Sequence, residues 1–432
     1  MTGLDRTSAR SENPSRKPTA DLVIVGAAQV LTCVPSGGDL TGCIANGVVA
    51  VAGERIIAVG PAAEVASQVD TTSAQIVDAT GKVVAPGFVD CHTHLVFGGS
   101  RVAEYAARMT RTASEVKALG IPTGILATMS MTRAAAVDAL ADSASRRLRR
   151  MLEAGTTTVE SKSGYGLSVA EEIKMLEVNQ RLQATQPVDI VSTFLGAHDF
   201  PPEVPRGRYI ESVIHEMIPI VAERGLAEFC DVYCDDGYYT VEESRRILEA
   251  GRAAGLRPKI HTDAYSDIGG ATMSAKMPVV SADHLNYTDR PAMRSLAKAG
   301  VVGVLMPGLD FAVRHPRPFD ARAMMDEGMT LALATDLCPA CWIESMQFVM
   351  QLACRLHRFS PAEALRAATW GGAKALELEH DRGTLEPGKL ADIQIWDTDT
   401  HEDVIYRLGT NIVDTVIKRG MIQYKRVEGA EP

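Results

Sequence analysis

The sequence predicts an α/β protein, a (β/α)8 TIM barrel joined to a small β-sandwich built from both chain ends. Three observations carry that expectation. Compact apolar runs alternate with helical stretches through the middle of the chain, the pattern of parallel strands with crossover helices. Eight such runs are present, the number that closes a barrel. Short β-rich runs broken by Gly and Asn recur at the two ends, so that one minor unit can draw on both. The expected boundaries are a flexible tail over 1–18, a composite β-rich unit from 19–80 with 386–432, and a barrel over 81–385.

In chain order, strands are expected at 22–25, 48–51 and 56–59, then at the barrel runs 83–90, 156–160, 188–195, 227–233, 257–261, 278–282, 301–306 and 330–335. The minor unit closes with 392–396, 413–418 and 421–424. Three helix starts read as capping boxes: Ser168 with Glu171, Thr240 with Glu243, and Ser360 with Glu363, the last followed by Pro361 at the first helical position. Gly155 and Gly251 are placed as helix stops. The segment 104–133 is longer than a usual strand-to-helix loop, and a long insertion at the catalytic end of a barrel often closes over substrate.

Composition narrows the function classes. Lys plus Arg number 44 against 54 Asp plus Glu, a net charge of −10 that offers no general attraction for nucleic acid or anionic lipid. No run of 18 apolar residues suggests a membrane span, and residues 1–20 lack the apolar core of a signal peptide, so a cytoplasmic location is expected. Eight scattered cysteines are too sparse for a disulfide framework and read as reduced thiols.

A barrel of this kind carries its chemistry at the C-terminal ends of its strands. The first run ends in His92-Thr93-His94, and side chains two apart on a strand point the same way, so both imidazoles can share a cation. His198 follows the third run, His261 ends the fifth, His284 the sixth, and Asp336 the eighth. That placement suits a metal hydrolase. His215, His315, His357, His380 and His401 fall in helices or loops and read as solvated or packed.

The block from Pro86 to His94, the lone His261, the Ala334-Thr335-Asp336 ending and the segment from Leu385 to Asp392 together resemble the amidohydrolase superfamily over nearly the whole chain. Within it, the blocks from Leu95 to Arg101 and from Ser161 to Gly166, Gly196-Ala197-His198, and Ser281 to Leu285 are similar to the imidazolonepropionase family, ring-opening hydrolases of histidine breakdown. The resemblance implies one zinc ion, or alternatively iron, held by His92, His94, His261 and Asp336. Such an ion lowers the pKa of water and polarises the ring oxygen. It also implies that Asp336 moves protons, that His284 steadies the oxyanion or relays a proton, with Asp283 as an orienting partner, and that Arg101, Tyr165 and His198 bind a small substrate with a carboxylate tail. A homodimer is a further implication.

The pattern departs from the family at one place. The glutamate expected three positions after the strand-five histidine is replaced by Ala264, and neither Asp263 nor Asp267 need reach the same point. That disfavours a nucleobase deaminase and keeps related rings open as substrates: N-methyl or thioxo imidazolone propionates, or a hydantoin propionate. The loop 120–125 also lacks the usual glycine run. A non-catalytic assembly protein on the same fold is the alternative of another class, opposed by the presence of all four expected ligands.

Other signals are weaker. Cys338 and Cys341 form a C-x-x-C pair directly after Asp336, readable as a metal or redox pair or as a packed loop at the barrel mouth. Residues 383–389 match part of a phosphate loop, but Leu390 replaces the required Ser or Thr. Cys230 and Cys234 read as core filler. Two-metal members of the superfamily use a carboxylated lysine elsewhere than Lys162, so a single ion is expected.

Overall fold

The computed structural model describes residues 17–427; the flexible tail expected over 1–18 lies, apart from Lys17 and Pro18, outside them. Eight barrel strands run in chain order, each hydrogen-bonded in parallel to the next. They are β1 (Phe88–Asp90), β2 (Thr156–Lys162), β3 (Asp189–Ala197), β4 (Phe229–Cys234), β5 (Ile260–Thr262), β6 (Ser281–His284), β7 (Val302–Leu305) and β8 (Leu331–Leu333). This is the expected (β/α)8 architecture.

No ladder joins the bodies of β8 and β1. The barrel closes at its C-terminal rim instead, where Asp336 N–H donates to the His92 carbonyl (3.1 Å) and His94 N–H to that of Leu337 (2.9 Å). Lower down, the helical turn Ala367–Gly371 and its continuation Gly372–Lys374 fill the gap. A Cβ on Gly371 would fall 2.3 Å from the Leu331 carbonyl oxygen, and one on Gly372 2.1 Å from that of Val89. Only glycine lets a helix lie this close to two strands. Closure and candidate ligands therefore share the same residues.

The run expected as one strand over 83–90 is two. Val83–Pro86 pairs with Ile393–Trp396 and Gln29–Leu31 in a six-stranded sheet, and only Phe88–Asp90 enters the barrel. A four-stranded sheet of Arg55–Pro61, Gly47–Ala52, Leu22–Val25 and Gln75–Asp78 faces it. Leu22, Ile24, Val49, Val51 and Ile56 of the smaller sheet pack with Val84, Ile393, Ile395 and Ile417 of the larger, the two-layer arrangement of a sandwich.

Two local expectations fail for identifiable reasons. Gly251 does not stop a helix; it lies inside Val241–Ala253, where a Cβ would sit 2.7 Å from that of Cys230 on β4. The positive φ that ends this helix belongs to Gly255. Ser168 stands at a helix N-cap without a side-chain bond, whereas Thr240 and Ser360 form complete capping boxes. Glu172, one position beyond the expected partner, instead turns back to accept from Gly164, Gly166 and Leu167 N–H at 2.7 to 2.9 Å.

The long segment after β1 is not a bare loop. It forms helices α1 (Val102–Arg108), α2 (Ala113–Ala118) and α3 (Gly124–Ala134), with Thr112 capping α2. Glu104, Tyr105, Arg108, Met109, Arg111, Gly124 and Ile125 bring this segment onto the barrel mouth.

Candidate metal centre

A cavity of about 500 Å³ opens at the rim where the barrel closes. His94, His261, His284 and Asp336 line its floor; Arg101, Tyr165 and His198 line its wall. His92 lies just beneath, fully buried. Alternation along each strand explains the arrangement, since every second residue faces the barrel interior. Seven of the expected site residues thus share the cavity, and the eighth supports it.

The donor atoms of His92, His94 and Asp336 all lie within 4.8 Å of one another, and so do those of His92, His261 and His284. His92 belongs to both triads. Asp336 Oδ1 stands 3.7 Å from His92 Nε2 and 3.6 Å from His94 Nε2. Four buried atoms of this set have no hydrogen-bond partner: His92 Nε2, His94 Nδ1, His261 Nε2 and Asp336 Oδ1. Buried polar atoms are normally satisfied, so such a cluster needs a ligand. Imidazole nitrogens with a carboxylate oxygen suit a divalent transition metal. The residues fit the ion.

Two of the buried rings, His92 and His261, are fixed from behind. His92 Nδ1 donates to Asp283 Oδ2 at 2.6 Å, and His261 Nδ1 to Asp231 Oδ1 at 3.1 Å, which leaves each Nε2 for the centre. Asp283 was expected to orient His284. Its carboxylate accepts from His92 instead, and at His284 the backbone, with φ 82°, has already left the extended conformation of the strand. Asp231 went unnoticed in the sequence, although an aspartate inside the apolar run of β4 was the visible signal.

Beneath these carboxylates lies a layer of buried charge. Lys162 Nζ lies 2.7 Å from Asp231 Oδ2, 3.0 Å from Glu160 and 3.6 Å from Asp283, while Lys259 reaches Glu160 at 3.1 Å. All five side chains are wholly excluded from solvent.

Electrostatics favour neutral side chains at the rim. Burial, with Lys162 adding to it, holds His92 well below the usual imidazole range; burial does the same for His94 and His284. His198 is pushed down to about 3, chiefly by burial. The metal-binding form of an imidazole is the neutral one. Burial also raises the Asp336 carboxyl well above its ordinary value. A dication beside it reverses that preference.

The backbone is strained at the same places. Asp336 (φ 47°) and His284 (φ 82°) occupy the left-handed region, unusual for side chains of this size. Such residues cost on the order of 1–3 kcal/mol each and gather at functional sites.

Arg101 lies in the wall but is not free. Its Nε and Nη2 donate to the two Glu104 oxygens at 2.7 and 3.0 Å, and Arg108 shares that carboxylate at 2.9 Å. Glu104 holds the guanidinium plane and leaves Nη1 for a ligand. His198 donates from Nδ1 to the Gly164 carbonyl at 3.1 Å and stacks on His94 with centroids 4.8 Å apart. Gly164 has φ 109°, and a Cβ there would come 2.8 Å from His198 Nδ1. Tyr165 lies 5.4 Å from the His94 ring and 5.2 Å from that of His198.

Ala264 is buried in the cavity wall and leaves Asp336 and Glu104 as the carboxylates among the described lining residues. Asp263 turns away to accept from Thr262 and Thr288. Cys338 lines the cavity; it and Cys341 exchange both backbone hydrogen bonds at 3.0 Å across a tight turn. Burial raises both thiols.

A family model described as the amidohydrolase family matches residues 83–422. The chain is 47% identical over 384 residues to an imidazolonepropionase of Geobacillus thermodenitrificans, covering 88% of this chain and 90% of the relative. It is 42% identical over 415 residues to an imidazolonepropionase of Symbiobacterium thermophilum, covering 93% and 97%. Among solved structures, it superposes on a zinc-bound adenosine deaminase of Xanthomonas campestris with a TM-score of 0.73 at 19% identity, covering 94% of each chain. An atrazine chlorohydrolase of Arthrobacter aurescens complexed with zinc gives 0.69 at 18% identity, covering 95% and 97%. The last two likenesses concern the fold alone.

Proposed function

The chain belongs to the amidohydrolase family, and on that premise we propose that it is a metal-dependent hydrolase of a five-membered cyclic amide, converting 4-imidazolone-5-propanoate and water to N-formimino-L-glutamate in histidine degradation. The observation that carries this reading is the meeting of His92, His94 and Asp336 donor atoms at the floor of a cavity whose wall presents Arg101. His92, His94, His261 and Asp336 would hold a single divalent ion, zinc by preference and iron as the alternative. When bound, it supplies Lewis acidity, polarising a carbonyl and lowering the pKa of water.

The protein residues divide the remaining work. Arg101, its plane set by Glu104, takes the propionate carboxylate through its free guanidinium edge. Tyr165 and the neutral ring of His198 flank the substrate and exclude bulk water. Asp336 receives a proton from the attacking water at a carboxylate oxygen and delivers it to the departing ring nitrogen. His284 steadies the charge that develops on the carbonyl oxygen. With Glu104 committed to two arginines, Asp336 is left as the proton carrier among the described lining carboxylates.

That last feature also favours a second reading. Ala264 puts no carboxylate beside the ring, which suits a ring whose departing nitrogen needs a single proton source, such as an N-methyl or thioxo imidazolone propionate or a hydantoin propionate. The net charge of −10 suits an enzyme with no nucleic-acid or membrane partner, and we place it as a homodimer in the cytoplasm.

The test is metal content together with a substrate panel. One ion per chain and turnover of imidazolonepropanoate ahead of its N-methyl, thioxo and hydantoin counterparts is the expected result. Faster turnover of a counterpart transfers the assignment to that ring. No ion and no turnover of any compound returns the chain to a non-catalytic assembly role.

A further inference from the structure

The five buried charges beneath the rim have no part in the steps above, yet they touch both histidines that lie deepest in the centre. Lys162 is the link. Its Nζ spans Asp231 at 2.7 Å and Asp283 at 3.6 Å, the two carboxylates that accept from His261 and His92. Glu160 holds the ammonium from the same strand at 3.0 Å, because residues two apart both face inward. The remaining contacts complete the cradle: Ser281 donates to Asp283 Oδ1 at 2.7 Å, and Val232 N–H to Asp231 Oδ1 at 2.7 Å.

We propose that Lys162 is a positioning residue of the metal centre: one ammonium group pins Asp231 and Asp283 together, and so turns the Nε2 atoms of His261 and His92 toward the rim. The carboxylates otherwise face each other in a dry interior with no shared counter-charge. Donor atoms of Asp231 and Asp283 already fall within 4.8 Å of each other and of His261. Like charges at that separation repel strongly in a low-dielectric interior. The role of Lys162 is thus to keep two rings in one tautomer and one orientation. This inference rests on the reading of His92 and His261 as ligands.

Lys259 provides the control. It is equally buried and also pairs with Glu160, but its other contacts are the Cys91 and Ala375 carbonyls at 3.4 and 3.3 Å and the Phe229 ring at 5.2 Å, and its charge acts on Asp283 alone of the two aspartates, from beyond ion-pair distance. Removing either lysine disturbs a buried charge layer; only Lys162 bridges the two aspartates at ion-pair distance.

The experiment compares full-length wild type, Lys162→Met and Lys259→Met in two measurements. Zinc affinity is read by competition with a chelator, and ring tautomers by 15N spectra of the metal-free protein labelled at histidine. Lys162→Met is expected to weaken zinc binding about 10- to 100-fold, the usual effect of losing a group that orients a ligand. It should also abolish the protected Nδ1–H signals of His92 and His261. Lys259→Met should keep both signals and bind zinc within about threefold of wild type. Unchanged affinity and signals in Lys162→Met, or equal losses in both variants, overturn the proposal. If wild type binds no zinc, the ligand reading fails, and the tautomer spectra alone decide the role of Lys162. If Lys162→Met does not fold, Lys162→Gln takes its place in the same two measurements, with the same outcomes supporting or overturning the proposal.

Discussion

Strand β3 begins in one buried charge cluster and leads into another. At its start, Asp189 accepts from Arg382 at 2.7 Å, Lys418 at 2.9 Å and Arg419 at 3.1 Å, and Lys418 also reaches Asp392 at 2.6 Å. Arg382 adds Thr158 and Asp381, and none of these groups has a buried orphan atom. Just past its end stands His198, at a rim where His92 Nε2, His261 Nε2 and Asp336 Oδ1 are all unpartnered. Both clusters are costly to bury. The first is complete within the chain and joins the barrel to the C-terminal strands; the second is complete only with something the chain does not supply. Incomplete satisfaction, and not burial of charge, marks the functional end.

The comparison predicts opposite phenotypes. Asp336→Asn removes the proton carrier and should lower kcat by about 10²- to 10⁴-fold. Its melting temperature should not fall, because the carboxylate it replaces makes no hydrogen bond from Oδ1 in the metal-free chain. A large loss of stability in that variant would merge the two clusters into one class. Asp189→Ala should do the reverse: breaking a buried pair from one side costs about 3–5 kcal/mol of stability, readable by denaturant titration. Its kcat per folded molecule should match wild type.

Arg101→Ala tests whether the cavity wall belongs with the rim. Loss of charge-assisted hydrogen bonds worth about 1.5–3 kcal/mol should lower kcat/KM roughly 10- to 150-fold, chiefly through KM. An unchanged KM would make Arg101 a structural partner of Glu104 and nothing more.

The sequence made the barrel and the rim legible because both follow period-two patterning: apolar runs for the strands, and His or Asp where each run stops. It concealed what depends on pairing between distant residues. Nothing local divides 83–90 between two sheets; that follows from the partners Ile393–Trp396 and Thr156–Lys162 competing for successive stretches of one chain. Asp283 was assigned to its sequence neighbour, whereas its spatial neighbour is His92, 191 residues away. Gly251 carried a stop signal that packing against Cys230 overrides. The charge layer did leave a trace, since Glu160 with Lys162, Asp231, and Lys259 before His261 interrupt apolar strands at inward positions. Interior charge at period two is as informative as interior apolarity, and points to a layer beneath a site.

The smallest effect concerns acid. Burial pushes the Asp189 carboxyl up, but Lys418, Arg382 and Arg419 outweigh it and hold the group at about 2, against an ordinary value of 3.8. A depressed folded pKa stabilises the chain above the unfolded value, and that stabilisation disappears as pH falls through the folded one. Asp189 should therefore contribute fully above about pH 4 and progressively less down to pH 2, a difference on the order of 2 kcal/mol. The rim carboxyl has the opposite sign: Asp336, raised by burial, gives no such acid-labile stabilisation to the metal-free chain. Stability of metal-free wild type and of Asp189→Asn, followed between pH 5 and 2, separates the two. The wild-type curve should be the steeper by about that amount, and parallel curves would place the acid sensitivity of the fold outside the Asp189 cluster.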